Sequence, residues 1–484
     1  MYLGLDLGTS AIKALLIRDD QSVIASATAE LSVSRPVAGW AEQNPKDWCR
    51  ATEMALESLR KSHGRELAMV QGIGLSGQMH GAVLLDADDD ILRPAILWND
   101  TRSHVQAAKL DANPQFRDIT GNIVFPGFTA PKLAWVKENE PEIFAKIRKV
   151  LLPKDYLRLW LTGEYISDMS DASGTAWFNT AQRQWSKELL ASTDMDITQM
   201  PSLVEGTDQA GRLRADVAAS LGLPAGVIVA GGGGDNAVSA CGVGTVNANG
   251  AFISLGTSGV LFASNDRYRP NADSAVHSFC HALPHTWHQM GVILSAADSL
   301  NWFAKINEKK AAELTAELGE ELKAPKNVRF LPYLSGERTP HNDALVRGNF
   351  MGLSHDNGRA DLTQAILEGV AFAVRDSFEA LRSSGTIIQT ATAIGGGSRS
   401  HYWLASIATA LDIPLEIPQD GDYGAAFGAA RLGMIAAHKL DPLAVCTSPL
   451  IGRIVEPVAG LRHAYEDAYQ HYRAIYPAIK HLSA

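Results

Sequence analysis

Residues 4–17 read Gly4-Leu5-Asp6-Leu7-Gly8-Thr9-Ser10-Ala11-Ile12-Lys13-Ala14-Leu15-Leu16-Ile17, and one acid, Asp6, interrupts an otherwise apolar run. Leu3, Leu5 and Leu7 lead into a turn of small residues, and Ala14 to Ile17 lead away from it. The pattern predicts two short strands joined as a β-hairpin with a carboxylate at its tip. About half a chain later, Leu255-Gly256-Thr257-Ser258 repeats Leu7-Gly8-Thr9-Ser10. The repeat points to one unit duplicated and fused, although ordinary hairpins also turn on Gly, Thr and Ser.

The 484 residues suffice for roughly three domains, or for two large ones. A formal net charge of −10 gives no basic footprint for nucleic acid or an anionic membrane. Cys49, Cys241, Cys280 and Cys446 lie far apart, with no C-x-x-C pair and no disulfide framework. The N-terminus has no basic region followed by an apolar core, and no apolar run reaches membrane-spanning length. These features predict a cytoplasmic protein with no nucleic-acid or membrane partner.

Strand-like and helix-like stretches alternate along the chain, which predicts an α/β protein. Strands are expected at Gly72–Leu75, Val83–Asp86, Val227–Ala230, Phe252–Leu255 and Thr392–Ile394. Helices are expected at Lys46–His63, Asp361–Leu381, Ser400–Leu411 and Gly424–His438. The spacing of apolar residues in Asp47–His63 predicts a helix lying on a sheet. A boundary near Thr245–Gly250, just before the second hairpin, divides the chain into domains 1–245 and 246–484.

Several stretches carry residues suited to chemistry. A Gly8-Thr9-Ser10 turn presents backbone N–H groups and hydroxyls to phosphate oxygens, and Lys13 adds a positive charge. Asp6 suits a hard cation such as Mg²⁺. The second hairpin has Ser254 where the first has Asp6, so it lacks the cation ligand. Gly231 to Gly234 precede Asp235, a residue that serves equally as a helix N-cap or as a base taking the proton of a substrate hydroxyl. The four glycines predict a backbone that passes close to a ligand, or a hinge. A third glycine cluster, Gly395-Gly396-Gly397-Ser398, suits the sugar or base of a nucleotide. It matches neither the P-loop nor the dinucleotide fingerprint. Gln78, with His80, suits polyol hydroxyls, and Trp98-Asn99-Asp100-x-Arg102 sets an aromatic wall beside an amide, an acid and a base. His277, Cys280, His281, His285 and His288 match no zinc spacing and are assigned loop and packing roles.

Two long stretches, Gly127–Asn139 (GFTAPKLAWVKEN) and Gly348–Glu368 (GNFMGLSHDNGRADLTQAILE), resemble the two signatures of the FGGY carbohydrate kinases. Gly77–Gly81, Leu152–Leu157 (LPKDYL), Ser167–Thr175 (SDMSDASGT) and Leu331–His341 (LPYLSGERTPH) resemble the branch that phosphorylates D-xylulose. The resemblance covers nearly the whole chain. It implies two duplicated actin-like (ribonuclease H-like) α/β domains flanking a central cleft, and ATP-dependent phosphorylation of D-xylulose with Mg²⁺. On it, Asp235 corresponds to the catalytic base and Asp6 to the acid at the Mg²⁺-phosphate site. Met79 and His80 match the sugar-binding pair and Asn236 follows the base. Gly256 and Thr257 match the second phosphate turn, and Gly396 and Ser398 fall on the adenosine-side loop. Lys13 stands where some relatives carry Arg.

The expected partners are therefore a small sugar and ATP, with a homodimer as a further arrangement. Two other readings stand beside this one at the level of sequence. One is a kinase of another ketose or polyol, such as ribulose, a 6-deoxyketose or glycerol. The other is an actin-like nucleotide switch that uses the same phosphate turns.

Overall fold

The predicted hairpin forms, and a helix-backed sheet grows from it. In the computed structural model, which describes residues 1–419 and 424–482, β1 (Tyr2–Leu7) and β2 (Ala11–Ile17) pair antiparallel with Leu7 opposite Ile12. β3 (Val23–Glu30) extends the meander, and α1 (Pro45–Leu67) crosses back over β2 and β3 to β4 (Gly72–Gly77), which lies parallel to β1. β5 (Gln209–Arg212) and β6 (Ile228–Ala230) complete the order β5-β6-β4-β1-β2-β3, and α2 (Asp235–Val243) follows. The apolar faces of these strands and of α1, with Leu5, Trp48, Leu56 and Ile73 all fully buried, make one core.

The second half repeats the plan. β7 (Ala251–Leu255) and β8 (Gly259–Asn265) form the second hairpin, followed by β9 (His277–Cys280) and β10 (Trp287–Ile293). α3 (Arg359–Ser383) leads to β11 (Ala391–Ile394) and β12 (Leu415–Pro418), then α4 (Gly424–His438) and β13 (Ile451–Val455). The sheet order is β9-β10-β8-β7-β11-β12-β13, so β7, β8, β10, β11 and β12 stand where β1, β2, β3, β4 and β6 stand in the first sheet. Pair by pair the directions agree: antiparallel within each meander, parallel at β1–β4 and β7–β11. The LGTS repeat was thus one visible trace of a duplicated architecture. An edge strand flanks each sheet, placed before β6 in the first half and after β12 in the second.

The halves meet at α2 and α4. α4 belongs by sequence to the second half, yet it lies on β1, β4 and β6 of the first sheet and along α2. Its sequence, GAAFGAARLGMIAAH, explains how it lies so close. A Cβ on Gly4 would sit 1.8 Å from the Ala426 carbonyl oxygen, and one on Gly74 would sit 1.7 Å from that of Ala429. On the helix side, a Cβ on Gly428 would sit 1.9 Å from the Val238 carbonyl oxygen of α2. Glycine on both surfaces lets backbone pack on backbone, where side chains would hold the elements apart. Arg431, buried within α4, donates to the carbonyls of Cys241 (2.7 Å) and Gly242 (3.1 Å), satisfying acceptors at the C-terminus of α2.

Between β4 and β5 the first half carries an insertion whose Phe116, Phe125, Phe128 and Trp177 share a core with Phe252, Phe262 and Phe279 of the second half. No helix among the described residues is long and apolar enough to cross a membrane.

Candidate active site

Three parallel backbone segments end side by side at the carboxyl edge of the first sheet. Asp6 of β1 is in register with Ser76 of β4, and Ser76 is in register with Gly233 on its other side. This edge is where open α/β sheets place ligands. Asp6 is not at the hairpin tip, as the sequence suggested. It lies within β1, directly across from Lys13. Ser76 Oγ donates to Asp6 Oδ1 at 2.8 Å, fixing the carboxylate and leaving Oδ2 without a protein partner among the described residues. Burial raises the Asp6 pKa above the usual carboxylate value, against the opposing pull of Ser76 and Lys13.

Asp235 reaches the same edge through the glycine run. Gly232 has a φ of +71°, and a Cβ there would lie 2.1 Å from the Leu75 carbonyl oxygen. A Cβ on Gly231 would lie 2.2 Å from the Glu205 carbonyl oxygen, and one on Gly234 would lie 2.7 Å from Met79 Sδ. These glycines therefore let the loop pass close to the protein's own backbone and Met79, where the sequence suggested a ligand or a hinge. Asp235 is the first residue of α2, with Gly234 at the cap position. Asn236 donates to Asp235 Oδ1 from its backbone N–H (2.8 Å) and from Nδ2 (3.0 Å), so Oδ2 is the free oxygen among the described residues. Burial, with the charge of Asp6 adding to it, pushes the Asp235 carboxyl up to about 6. An acid with that pKa is ionised at pH 7 and still basic enough to take a proton.

A buried charge cluster holds both ends of this loop. Lys154 Nζ bridges Asp155 Oδ1 (2.5 Å), Asp168 Oδ2 (2.7 Å) and Asp171 Oδ2 (3.4 Å), all fully buried. Asp168 Oδ1 caps the turn at Ser170 and Asp171, and Ser170 Oγ in turn accepts from the Gly234 N–H at 3.1 Å. Arg158, paired with Asp155 at 2.8 Å, donates to the Gly231 carbonyl. The motifs LPKDYL and SDMSDASGT thus build the support of the Asp235 loop, a role that their sequence alone did not reveal.

Each half carries one of the two turns expected to take phosphate. In the first, the Thr9 hydroxyl donates to Gln78 Oε1 (2.9 Å) and accepts from Trp98 Nε1 (2.9 Å), while the Thr9 carbonyl accepts from Gln43 Nε2 (2.7 Å). Ser10 is exposed and Lys13 half-buried. Gln78, expected at the sugar, has its buried amide committed to Thr9 and Gln43. Its geometry makes it a brace for the turn. In the second turn, the Gly256 and Thr257 carbonyls accept from the amides of Ala297 and Ala296, leaving Thr257 and Ser258 exposed. Gly395 and Gly397 pack against Leu255, which joins the third glycine cluster to this turn. Gly396 faces open space, and Ser398 Oγ donates to the Gly395 carbonyl at 2.7 Å. A cavity of about 370 Å³ opens beside Gly396, lined by Ala297, Leu300, Asn301, Ser400 and Trp403. Sequence reading found the glycine loop and missed this lining, since Leu and Trp on helices read as core.

Of Met79 and His80, the pair expected at the sugar, His80 is held in an unusual conformation. His80 has a φ of +69°, uncommon for a residue with a side chain. Its carbonyl accepts from Lys132 Nζ (2.7 Å) and Thr129 Oγ1 (3.1 Å), and its Nδ1 bonds the Gly174 carbonyl at 2.7 Å. A Cβ on Gly174 would lie 2.4 Å from His80 Cε1. The stretch GFTAPKLAWVKEN thus supplies two of the contacts that hold His80. The acid and base of Trp98–Arg102 do not reach a substrate. Asp100 and Arg102 form a buried pair at 2.7 Å, Arg102 also pairs with Glu42 at 2.7 Å, and its guanidinium stacks over Trp40. Of that stretch, Trp98 stays at the site, on Thr9. His277, His281 and His288 are buried among Phe125, Phe128, Phe262 and Phe279.

Known proteins share this arrangement. The pattern of the FGGY family of carbohydrate kinases matches through its N-terminal domain at residues 1–242 and through its C-terminal domain at residues 251–437. The chain is 47% identical over 489 residues to the xylulose kinase of Escherichia coli, covering 100% of both. It superposes with a TM-score of 0.98 on a crystal structure described as a xyloylose kinase from Brucella ovis, at 64% identity and 99% coverage of each chain. The xylulose kinase of Rhodospirillum rubrum superposes at 0.93 with 28% identity, again over 99% of each chain. With both domain patterns in the order the two sheets require, the chain belongs to the FGGY family of carbohydrate kinases.

Proposed function

We propose that the chain transfers the γ-phosphoryl group of ATP to the C5 hydroxyl of D-xylulose, giving D-xylulose 5-phosphate and ADP. Full-length identity to a xylulose kinase favours this sugar. The observation that carries the chemistry is Asp235, whose Oδ1 is pinned by Asn236 while Oδ2 remains open beside Asp6. Oδ2 takes the hydroxyl proton as the sugar oxygen bonds to the γ-phosphorus and ADP leaves. Met79 and His80 wall the sugar side, and Asn236 holds the base in orientation. Thr9, Ser10 and Lys13 on one turn, and Gly256 and Thr257 on the other, take the phosphates. Gly396 and Ser398 border the adenosine, which the 370 Å³ cavity accommodates.

The Asp6 charge bears on Asp235, and Lys13 is the cation bearing on Asp6. The unpartnered Oδ2 of Asp6 is a hard oxygen donor, a fit for Mg²⁺. Asp6 would hold the ion directly or through water, and the bound ion supplies neutralisation of phosphate charge. In this reading residues 1–245 bring the sugar side and the base, and residues 246–484 bring the nucleotide side. An ADP-release assay across D-xylulose, D-ribulose, a 6-deoxyketose and glycerol tests the substrate. D-xylulose is expected to give the highest kcat/KM, and a clear preference for another acceptor would overturn the assignment.

A further inference from the structure

The loop Leu331–His341 of the second half sends one charged side chain, Arg338, into the sugar side of the first. Arg338 Nη1 contacts His277 Nε2 at 3.2 Å, and its guanidinium lies 4.4 Å from the centre of the Phe125 ring. It is close enough to His80 to lower that imidazole's proton affinity, whereas the neighbouring charge acting on Asp235 is Asp6. His277, which Arg338 contacts, lies against Phe128, the ring on which His80 stacks, so Arg338 stands at the His80 side of the site. No carboxylate lies within ion-pair distance of it among the described residues. Glu337, next in sequence, instead accepts from the backbone amides of Leu294 and Arg338, and burial pushes its carboxyl up to about 8, so it is neutral at pH 7. Of the guanidinium's donors only Nη1 has a protein acceptor among the described residues, His277, which leaves the others for a ligand.

The loop that carries it is fixed. Thr339 Oγ1 donates to the Ala275 carbonyl at 3.0 Å and accepts from the Val292 amide at 3.0 Å. His80 is equally fixed, and its protonation follows from its partner. The Gly174 carbonyl can only accept, so Nδ1 carries the proton. Burial, with Lys132 and Arg338 as nearby charges, pushes the imidazole down to about 3, so the ring is neutral and Nε2 is a bare acceptor. The His80 ring stacks on Phe128 at 4.7 Å between centroids, and Phe125, Phe128 and Phe279 close the apolar side. The His80 side of the site thus presents one acceptor, His80 Nε2, and one cluster of donors, the Arg338 guanidinium.

We propose that Arg338 reads the keto oxygen of the substrate while His80 Nε2 accepts from a neighbouring hydroxyl, so that the pair selects ketoses over the corresponding polyols. This deepens the function proposed above and rests on it. A carbonyl oxygen is acceptor-only and satisfies a guanidinium outright. A polyol hydroxyl at the same carbon brings an additional proton to a position that Arg338 fills with donors. Sites built to hydrogen-bond one functional group reject its analogue strongly.

The test measures kcat/KM for D-xylulose and for xylitol in the wild-type chain, Arg338→Met and Arg338→Lys. Arg338→Met is expected to raise the D-xylulose KM by about 10-fold or more and to lower the D-xylulose/xylitol selectivity by a similar factor. Arg338→Lys is expected to recover only part of the selectivity, because an ammonium restores the charge without the fork. Equal losses on both substrates, or an unchanged D-xylulose KM, would overturn the role of Arg338. If a variant does not fold, calorimetry on the wild type decides: D-xylulose is expected to bind and xylitol to bind at least about 10-fold more weakly, and equal binding would overturn the proposal. Failure of the wild type to phosphorylate any ketose would instead remove the function on which this inference rests.

Discussion

At the scale of single residues, the site sets charge against burial. Asp235 is an ordinary acid pushed up to about 6 by its surroundings, and that shift has a cost in stability as well as a use in the proposed catalysis. Between its usual 3.8 and about 6, the native state holds a proton that the unfolded chain has lost. Stability therefore falls as pH rises through that window, by at most about 3 kcal/mol from this residue. Asp235→Asn is expected to raise the Tm by a few degrees at pH 8 and to give almost no gain at pH 4. Thermal scans at the two pH values check this, and a lower Tm at pH 8 would show that ionised Asp235 stabilises the fold. His80 is the second strained residue. Its left-handed backbone is held by Lys132, Thr129 and Gly174, contributed by segments far apart in sequence.

At the scale of elements, the fold depends on helices and strands lying unusually close. α2 begins at Asp235, and its far side touches α4 through Gly428. A methyl group at Gly428 would meet the backbone of Val238, where no flexible side chain can move aside. Gly428→Ala is expected to destabilise the chain by about 1–3 kcal/mol and to lower kcat by shifting the helix that carries the base. Chemical denaturation and turnover measured on the same preparation check both effects. Many elements were legible from sequence. The expected helix Asp361–Leu381 is Arg359–Ser383, and the expected strand Phe252–Leu255 is Ala251–Leu255, because long apolar periodicity and small-residue turns mark them clearly. The path of α4 was not legible. Its Gly and Ala residues announce close packing, but nothing local says that the surface it covers belongs to the other half.

At the scale of the whole molecule, duplication explains why the chain holds two similar sheets, each with its own Gly-Thr-Ser turn. Each half keeps a Gly-Thr-Ser turn, while one half keeps Asp6 and Asp235, the proposed base, and the other keeps Gly395–Ser398, the loop proposed to border the adenosine. Asp6, Asp235, His80 and the turns stand out in sequence because acids, glycines and the family signatures concentrate there, and the structure brings Asp6 and the Asp235 loop to one sheet edge. Lys132, Lys154, Asp168 and Arg338 lie within the motifs, yet the contacts they make join distant segments, which a linear pattern does not carry. Gln78 and the Asp100–Arg102 pair show the converse, polar residues near a site whose hydrogen bonds are internal. The central claim is that Asp235 is the base of a sugar kinase. It is tested most directly by the steady-state rate of ADP release with saturating ATP, Mg²⁺ and D-xylulose, for the wild type and Asp235→Asn. The account predicts a loss in kcat of at least about 10²-fold in the folded variant, and a wild-type rate that falls as pH drops through about 6. Near-normal turnover by folded Asp235→Asn would contradict it.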